Sequence, residues 1–195
     1  RLNRETLLEF MECACLLHDI GKMKITSIIG NSYRRLYDIE FDLIRHHPKF
    51  GIDILKNEPA FAPFHPFVYQ HHRWWDGSQG YPDISPNESQ NNTRILVDIL
   101  SLCDSLEAAT CHIGRTYRKV KPFHTILDEF YCEAGTRYSS EVLQSIIGHP
   151  ESYRALRQMV DVHWQDIYRN IFTQMVSPEQ AEKGPSLSSS LPDLY

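Results

Sequence analysis

The sequence lacks several features that would assign it to a familiar class of protein. No apolar stretch approaches the roughly 20 residues that a membrane-spanning helix needs, and no cleavable signal opens the chain. The formal net charge is −5 and there is no long basic stripe, which argues against binding of a nucleic-acid polymer but leaves a small anionic ligand open. No C-x-x-C pair occurs among the five cysteines. We therefore expect a soluble, cytoplasmic domain whose cysteines are reduced and buried.

The length and composition indicate one domain rather than two. A chain of 195 residues with 42% hydrophobic content can bury a sizeable core, whereas two domains would each be small. Residues 177–195 are rich in Ser and Pro and have no periodicity, so we predict a domain over 1–176 followed by a flexible tail over 177–195. Because the chain begins at Arg1 and enters a helical pattern almost at once, we also expect a further domain upstream in the same polypeptide.

The apolar periodicity predicts helices and no strand. A first helix is expected to end near Ile20, and Pro48 and Pro66 each fit the first turn of a later helix. The remaining predicted helices are a strongly apolar one over about 93–112 and three more over 122–134, 139–147 and 150–176. A long loop rich in Gly, Pro and Asp separates the helix that carries His71 and His72 from the apolar one, and such loops are often functional. The fold class is therefore all-α.

Six side chains of metal-binding type fall at predicted helix ends or inside predicted helices. They are His18, Asp19, His47, His71, His72 and Asp104. Any one histidine among them is more often a structural residue than a ligand, but the set favours a metal site. Asp104 is an independent indication of a metal site, since a carboxylate inside the most apolar helix is costly to bury unless it is paired or coordinated. The alternatives for Asp104 are a cap-like hydrogen bond and an ion pair with Arg115.

Mixed imidazole and carboxylate ligation suits iron, manganese or zinc, while calcium and magnesium prefer oxygen ligands. Two ions roughly 3.5 to 4 Å apart could share Asp19, hold a hydroxide between them and stabilise an in-line phosphoryl displacement. Lys22 follows one turn later and could meet the charge that develops on the phosphate oxygens. Asp19 and Lys22 are thus the predicted catalytic residues, although Lys22 considered alone could equally be a solvated lysine.

Several segments together resemble the HD superfamily of metal-dependent phosphohydrolases, and specifically its HD-GYP branch. The segments are LLHDIGK at 16–22, HP at 47–48, HHRWWDGSQGYP at 71–82, DSLEAAT at 104–110, GRTYRK at 114–119 and AGTRY at 134–138. The resemblance covers roughly residues 5 to 147. It implies an HD-domain helical bundle with a long GYP loop and two or three divalent metal ions, most often iron or manganese. It also implies a phosphodiesterase of cyclic di-GMP.

The family's functional residues carry over by position. Its metal ligands match the six residues named above, and its active-site lysine matches Lys22. Arg115 and Arg118 match residues that contact the substrate phosphate, and they belong to a local cationic cluster in an otherwise acidic chain. The motif that names the branch corresponds to Gly80, Tyr81 and Pro82, which the resemblance places beside the substrate.

The sequence departs from the family at several points, which include Glu107 where an aspartate is common and a longer stretch from Asp104 to Arg115. The family normally supplies a histidine, and in some members a glutamate, from an upstream helix that this chain does not contain. The family usually reads His-His-Glu where this chain has His71, His72 and Arg73. Arg73 therefore replaces a negative group beside the metal ligands with a positive one. Gln79 is an extra residue in the GYP loop. Two alternatives therefore stay open: an HD phosphohydrolase for another nucleotide, and a non-catalytic module that binds a nucleotide or regulates a partner.

Overall fold

The structure, a computed structural model, describes residues 3–26, 29, 34–83, 93–110 and 121–160. Within these residues the chain is helical, and its only β-bridges are two isolated ones, so the predicted all-α class is confirmed. The chain divides into two compact units, Arg1–Tyr153 and Arg154–Tyr195. Only residues 154–160 of the second unit are described, and these are helical. The predicted domain boundary at 176/177 and the predicted tail lie outside the described residues.

Seven α-helices of the first unit have defined bounds. They are α1 (Arg4–Leu17), α2 (Asp38–Ile44), α3 (His47–Leu55), α4 (His65–Gln70), α5 (Arg94–Thr110), α6 (Phe123–Cys132) and α7 (Ser140–Ile147). Two 3₁₀ helices lie between them, Ile20–Lys24 after α1 and Pro59–Phe64 before α4. Residues 150–160 are also helical, and the first unit ends among them.

Local chemistry fixes where several of these helices begin. The side chain of Asn3 accepts a hydrogen bond from the backbone N–H of Thr6 (2.7 Å) and caps α1. Prolines occupy the first turns of α3 and α4, where the missing N–H would have no helical partner. Ser139 caps α7 through its hydroxyl oxygen, and its own N–H donates to the buried carboxylate of Asp98 on α5 (2.8 Å). The start of α7 is therefore hydrogen-bonded directly to a buried side chain of α5.

The core nearest the histidines joins α1, α4 and α5. Ala14, Phe67, Val97 and Leu100 are buried together there, and Phe10 and Phe64 stack beside them with ring centroids 4.9 Å apart. A second set of buried apolar side chains on α5, α6 and α7 includes Leu106, Ile126, Phe130 and Leu143. Burial on this scale supplies most of the stabilisation that holds such helices, since short isolated helices are marginal in water.

The first 3₁₀ helix lies against α3 with no space for a side chain at Gly21. A Cβ atom at this position would lie 1.9 Å from the carbonyl oxygen of His47 and 2.5 Å from the backbone nitrogen of Gly51. Only glycine allows two backbones to approach so closely. This contact fixes the separation between the segment that carries Asp19 and the helix that begins with His47.

Several predicted details are wrong. Helix α1 ends at Leu17 rather than near Ile20, so His18 and Asp19 follow the helix, because the chain tightens into the 3₁₀ helix that packs on α3. Helix α4 likewise ends at Gln70, and His71 and His72 follow it rather than lie on it.

Four of the cysteines are free, as predicted, but they are exposed rather than buried because they occupy the solvent side of their helices: Cys13, Cys15, Cys103 and Cys132. Cys111 lies outside the described residues. Of the described helices, none combines the length and hydropathy needed to cross a bilayer.

Candidate metal centre

Six side chains from four separate parts of the fold meet at one place. The residues that follow α1 contribute His18 and Asp19, the first residue of α3 contributes His47, the residues that follow α4 contribute His71 and His72, and α5 contributes Asp104. The structure thus brings together all six residues that the sequence predicts as ligands. Their roles as ligands remain predictions.

The first group consists of Asp19, His47, His71 and His72, whose potential ligand atoms all lie within 4.8 Å of one another. Asp19 Oδ1 is 3.2 Å from His47 Nε2 and 3.7 Å from His71 Nε2. The side chains of His47 and His71 are completely shielded from solvent, whereas Asp19 is 28% exposed. One carboxylate and three imidazoles in this arrangement could surround a single divalent ion.

The second group consists of His18, Asp19 and Asp104, again with all potential ligand atoms within 4.8 Å. His18 Nε2 is 3.4 Å from Asp19 Oδ2 and 3.8 Å from Asp104 Oδ1. The second oxygen of Asp104 lies 4.0 Å from His72 Nδ1, so the two groups are contiguous. Asp19 belongs to both groups, one carboxylate oxygen directed to each.

Backbone carbonyls fix the tautomers of three of these histidines. In each, Nδ1 bonds to a carbonyl oxygen of the preceding turn: His18 to Cys15 (2.7 Å), His47 to Ile44 (2.7 Å) and His71 to Phe67 (2.9 Å). Because a carbonyl oxygen can only accept, the proton of each neutral ring is on Nδ1 and the lone pair is on Nε2. The three Nε2 atoms are therefore directed to the centre as potential ligands, which is the usual arrangement around a protein-bound metal.

The centre has polar atoms that protein groups alone do not satisfy. Nε2 of His47 lies 3.1 Å from Nε2 of His71, and with both protons on Nδ1 two lone pairs face each other. His18 Nε2 and Asp19 Oδ1 are buried and have no hydrogen-bond partner among the described residues. Cations held among these atoms would satisfy them, whereas their burial without any is costly. The residues present therefore fit a divalent metal.

The pKa values at the centre show which groups hold protons when no metal competes. Burial raises the pKa of Asp19, but the adjacent imidazoles of His18 and His47 and the charge of Lys22 outweigh it and hold that pKa far below its usual range. Burial lowers the pKa of His18, yet the carboxylates of Asp104 and Asp19 outweigh it and raise the value to about 10. A metal must therefore displace a proton from His18, which makes its binding dependent on pH.

The imidazoles of His71 and His72 are neutral near pH 7 and so are ready to act as ligands. Burial, with the neighbouring imidazoles, lowers the pKa of His71 well below its ordinary value. Burial likewise lowers the pKa of His72 to about 4. For Asp104 the effect of burial is outweighed by its bond to His18, and the pKa of this carboxyl is lowered. Anionic carboxylates and neutral imidazoles are the protonation states that bind divalent ions.

Lys22 forms an ion pair with Asp19 and also lines a cavity that adjoins the centre. The cavity has a volume of about 760 Å³, within the range of sites that bind drug-sized ligands. His47, His71, His72 and Asp104 form part of its wall. A ligand in this cavity would therefore contact Lys22 and the candidate metal ligands together.

The GYP loop forms another wall of the cavity. The ring of Tyr81 lies on that of His72, with centroids 4.6 Å apart and planes inclined by 30°. A Cβ atom on Gly80, whose φ is +94°, would lie 2.2 Å from the carbonyl oxygen of His72, so the glycine lets the loop close over this histidine. Gly80 and Tyr81 line the cavity, while Pro82 is buried and does not. Trp74 also lines it, and Trp75 instead packs under the guanidinium of Arg94 (5.5 Å to the ring centroid).

The structure adds wall residues to which the sequence analysis gave no role. The backbone N–H groups of Trp75 and Asp76 donate to the carbonyl oxygens of Arg137 (2.9 Å) and Thr136 (3.0 Å), and so attach the GYP loop to the AGTRY segment. Arg137, Arg45, Lys121 and Glu129 line the cavity as well. Arg137 belongs to the AGTRY motif and Lys121 to the cationic cluster of the sequence, whereas no sequence signal pointed to Arg45 or Glu129. Arg115 and Arg118, the predicted phosphate contacts, lie outside the described residues.

Comparisons with known proteins agree with this geometry. A sequence model of the HD domain matches residues 2–109. A cyclic di-GMP phosphodiesterase of Thermotoga maritima is 30% identical over 145 residues, 73% of this chain and 38% of that protein. A 3′3′-cGAMP-specific phosphodiesterase of Vibrio cholerae is 23% identical over 155 residues, 78% of this chain and 28% of that protein. A cyclic di-GMP phosphodiesterase of Pseudomonas aeruginosa is 36% identical over 107 residues, 54% of this chain and 24% of that protein. The chain thus spans between 24% and 38% of the length of these curated relatives.

Proposed function

The chain belongs to the HD domain family, and on that premise we propose that it is a metal-dependent phosphodiesterase that hydrolyses a cyclic dinucleotide, with cyclic di-GMP as the first candidate substrate. One observation carries the proposal. Asp19 is common to two adjoining groups of potential ligands, an arrangement that would let one carboxylate serve two metal ions. A single structural ion would need only one such group.

We propose that one ion is held by Asp19 with His47, His71 and His72, and the other by Asp19 with His18 and Asp104. The donors are imidazole nitrogens and carboxylate oxygens, which favours iron or manganese and leaves zinc as an alternative. A third ion would require ligands from outside the described residues. When bound, divalent ions supply Lewis-acid activation of the phosphate and of water.

The chain's own groups would orient the substrate and stabilise its charge. The ammonium of Lys22, next to Asp19, is placed to meet the charge that grows on the phosphate oxygens as the P–O bond breaks. Tyr81 and Trp74 present aromatic faces to the cavity on which a base could stack. By the family resemblance, Arg115 and Arg118 would contact phosphate as well, and this stays a prediction.

A second candidate substrate is 3′3′-cGAMP, because one of the relatives is named as specific for it. The two substrates differ in one base only. Discrimination between them would therefore depend on contacts with base edges in the cavity and not on the metal centre.

Turnover with defined metals tests the proposal. The chain, and the full polypeptide that carries it, would be loaded anaerobically with Mn²⁺ or Fe²⁺ and incubated with cyclic di-GMP, 3′3′-cGAMP and cyclic di-AMP, with products separated by chromatography. We expect hydrolysis that chelation abolishes and added metal restores, fastest for one of the first two nucleotides. Absence of metal-dependent hydrolysis of every cyclic dinucleotide in both proteins would refute the proposal.

A further inference from the structure

Among the described residues that line the cavity, Arg73 differs from every other cationic one. The others each have a carboxylate oxygen within 3.3 Å: Lys22 with Asp19, Arg45 with Asp42, Lys121 with Glu129 and Arg137 with Glu133. Among residues 3–83, 93–110 and 121–160 as far as they are described, the carboxylate nearest to Arg73 belongs to Asp83, at 3.8 Å, and the side chain of Asp83 is fully exposed. Of the cationic wall residues that the structure describes, Arg73 therefore has the least neutralised charge.

The side chain of Arg73 is also buried, being only 10% exposed. Its Nη2 donates to the carbonyl oxygen of Gly77 (2.6 Å), but its Nε has no hydrogen-bond partner among the described residues. A guanidinium has five N–H groups and no acceptor, so most of its hydrogen-bonding capacity is unused here. Arg94 lies beside it, donating to the carbonyl oxygen of Arg73 (3.2 Å), and adds a second positive charge. A buried cation whose only described carboxylate partner is distant and exposed is costly unless an anionic ligand binds to it.

We propose that Arg73 is a specificity-determining residue that binds a phosphate group of the ligand away from the metal centre. The inference rests on the proposed function, since a cyclic dinucleotide carries two phosphodiesters and only one can occupy the metal centre. Arg73 directly follows His72 and lines the same cavity, so it is suitably placed for the second. Its planar fork matches two phosphate oxygens, which an ammonium group cannot do.

Binding to the chelated protein tests the inference without turnover. Cyclic di-GMP and inorganic phosphate would each be titrated by calorimetry into the wild type, Arg73→Gln, Arg73→Lys and the control Lys56→Gln. Lys56→Gln removes the same charge from a surface pair with Asp53 (2.8 Å), outside the cavity wall. We expect Arg73→Gln to weaken binding of both ligands at least tenfold, Arg73→Lys to weaken it less, and the control to change it less than twofold.

The alternative role for Arg73 is to hold the GYP loop in place through Gly77. Hydrolysis of bis(p-nitrophenyl) phosphate by the metal-loaded protein separates the two, since this ester has one phosphate and needs only the metal centre. We expect Arg73→Gln to keep this activity within twofold of the wild type, and thermal denaturation would check that it is folded. Equal loss of ester hydrolysis and ligand affinity would overturn the inference, as would binding that Arg73→Gln leaves unchanged or a wild type that binds neither ligand. Phosphate binding that depends on Arg73, in a protein that does not hydrolyse cyclic dinucleotides, would refute the proposed function but not this inference.

Discussion

Replacing Gly21 with alanine should disrupt the candidate centre without removing any of its ligands. The added Cβ would lie 1.9 Å from the carbonyl oxygen of His47, whereas ordinary contacts begin near 3.4 Å. The segment that carries Asp19 and the start of α3 must therefore separate by about 1.5 Å. A displacement of about 1 Å can reduce catalysis roughly 100-fold. Overpacking costs about 1 to 3 kcal/mol, which corresponds to a fall in Tm of roughly 2 to 4 °C for each kcal/mol in a chain of this size.

The assay measures metal affinity and stability for the same variants. Metal binding would be followed by competition with a chelator, and stability by thermal denaturation of the metal-free protein. Gly77→Ala is the matched control, since Gly77 has φ +76° but no atom within 4 Å of the added Cβ. We expect backbone strain in the control to cost about 1 kcal/mol while metal affinity stays within twofold. Gly21→Ala should lower metal affinity at least tenfold.

A Gly21→Ala protein that binds metal with wild-type affinity would refute this reasoning. It would show that the distance between Asp19 and His47 can relax without consequence for the centre. A loss of affinity equal to that of Gly77→Ala would be a second refutation, since the effect would then reflect general destabilisation.

Three further predictions concern single side chains of the centre. Asp19→Asn should reduce bound metal from two ions to fewer than one per chain and reduce turnover at least 1,000-fold, a loss of about 4 kcal/mol in transition-state stabilisation; retention of two ions by elemental analysis would contradict it. Lys22→Met should lower kcat by about 100-fold while elemental analysis shows an unchanged metal content, and a change in KM alone would argue against a role in the transition state. The third concerns the metal-free protein: because the folded-state pKa of His18 (about 10) exceeds its ordinary value of 6.5, the stability it contributes is fully present below pH 6.5 and is lost as the pH rises towards 10. Urea denaturation across this pH range should show that loss in the wild type and a flatter profile in His18→Gln.

The residue types and their order were sufficient to predict the fold class and the set of residues that meet at the centre. The resemblance to the HD superfamily and its HD-GYP branch is confirmed by the family match and by relatives named cyclic di-GMP phosphodiesterases. Prolines at helix starts were informative because their missing N–H and fixed φ restrict where they can lie. Asp104 was informative because burial of a carboxylate in an apolar helix requires a partner.

Other features could not be predicted because they depend on contacts between distant segments. The ends of α1 and α4 are set by packing of the following turns on other helices, and no local signal distinguishes Leu17 from Ile20 as a helix end. The requirement for glycine at position 21 arises only when α3 lies against it. Arg137 is part of the cavity wall because its backbone binds the GYP loop, a contact that spans about 60 residues of sequence.

The most direct test of the central claim is anomalous diffraction from crystals of the metal-loaded protein, collected at the iron, manganese and zinc edges. The account predicts two peaks roughly 3.5 to 4 Å apart, on either side of the Asp19 carboxylate, with ligand distances of roughly 2.0 to 2.3 Å. It would be contradicted by a single ion enclosed in a complete tetrahedral set of protein ligands, or by peaks that avoid Asp19.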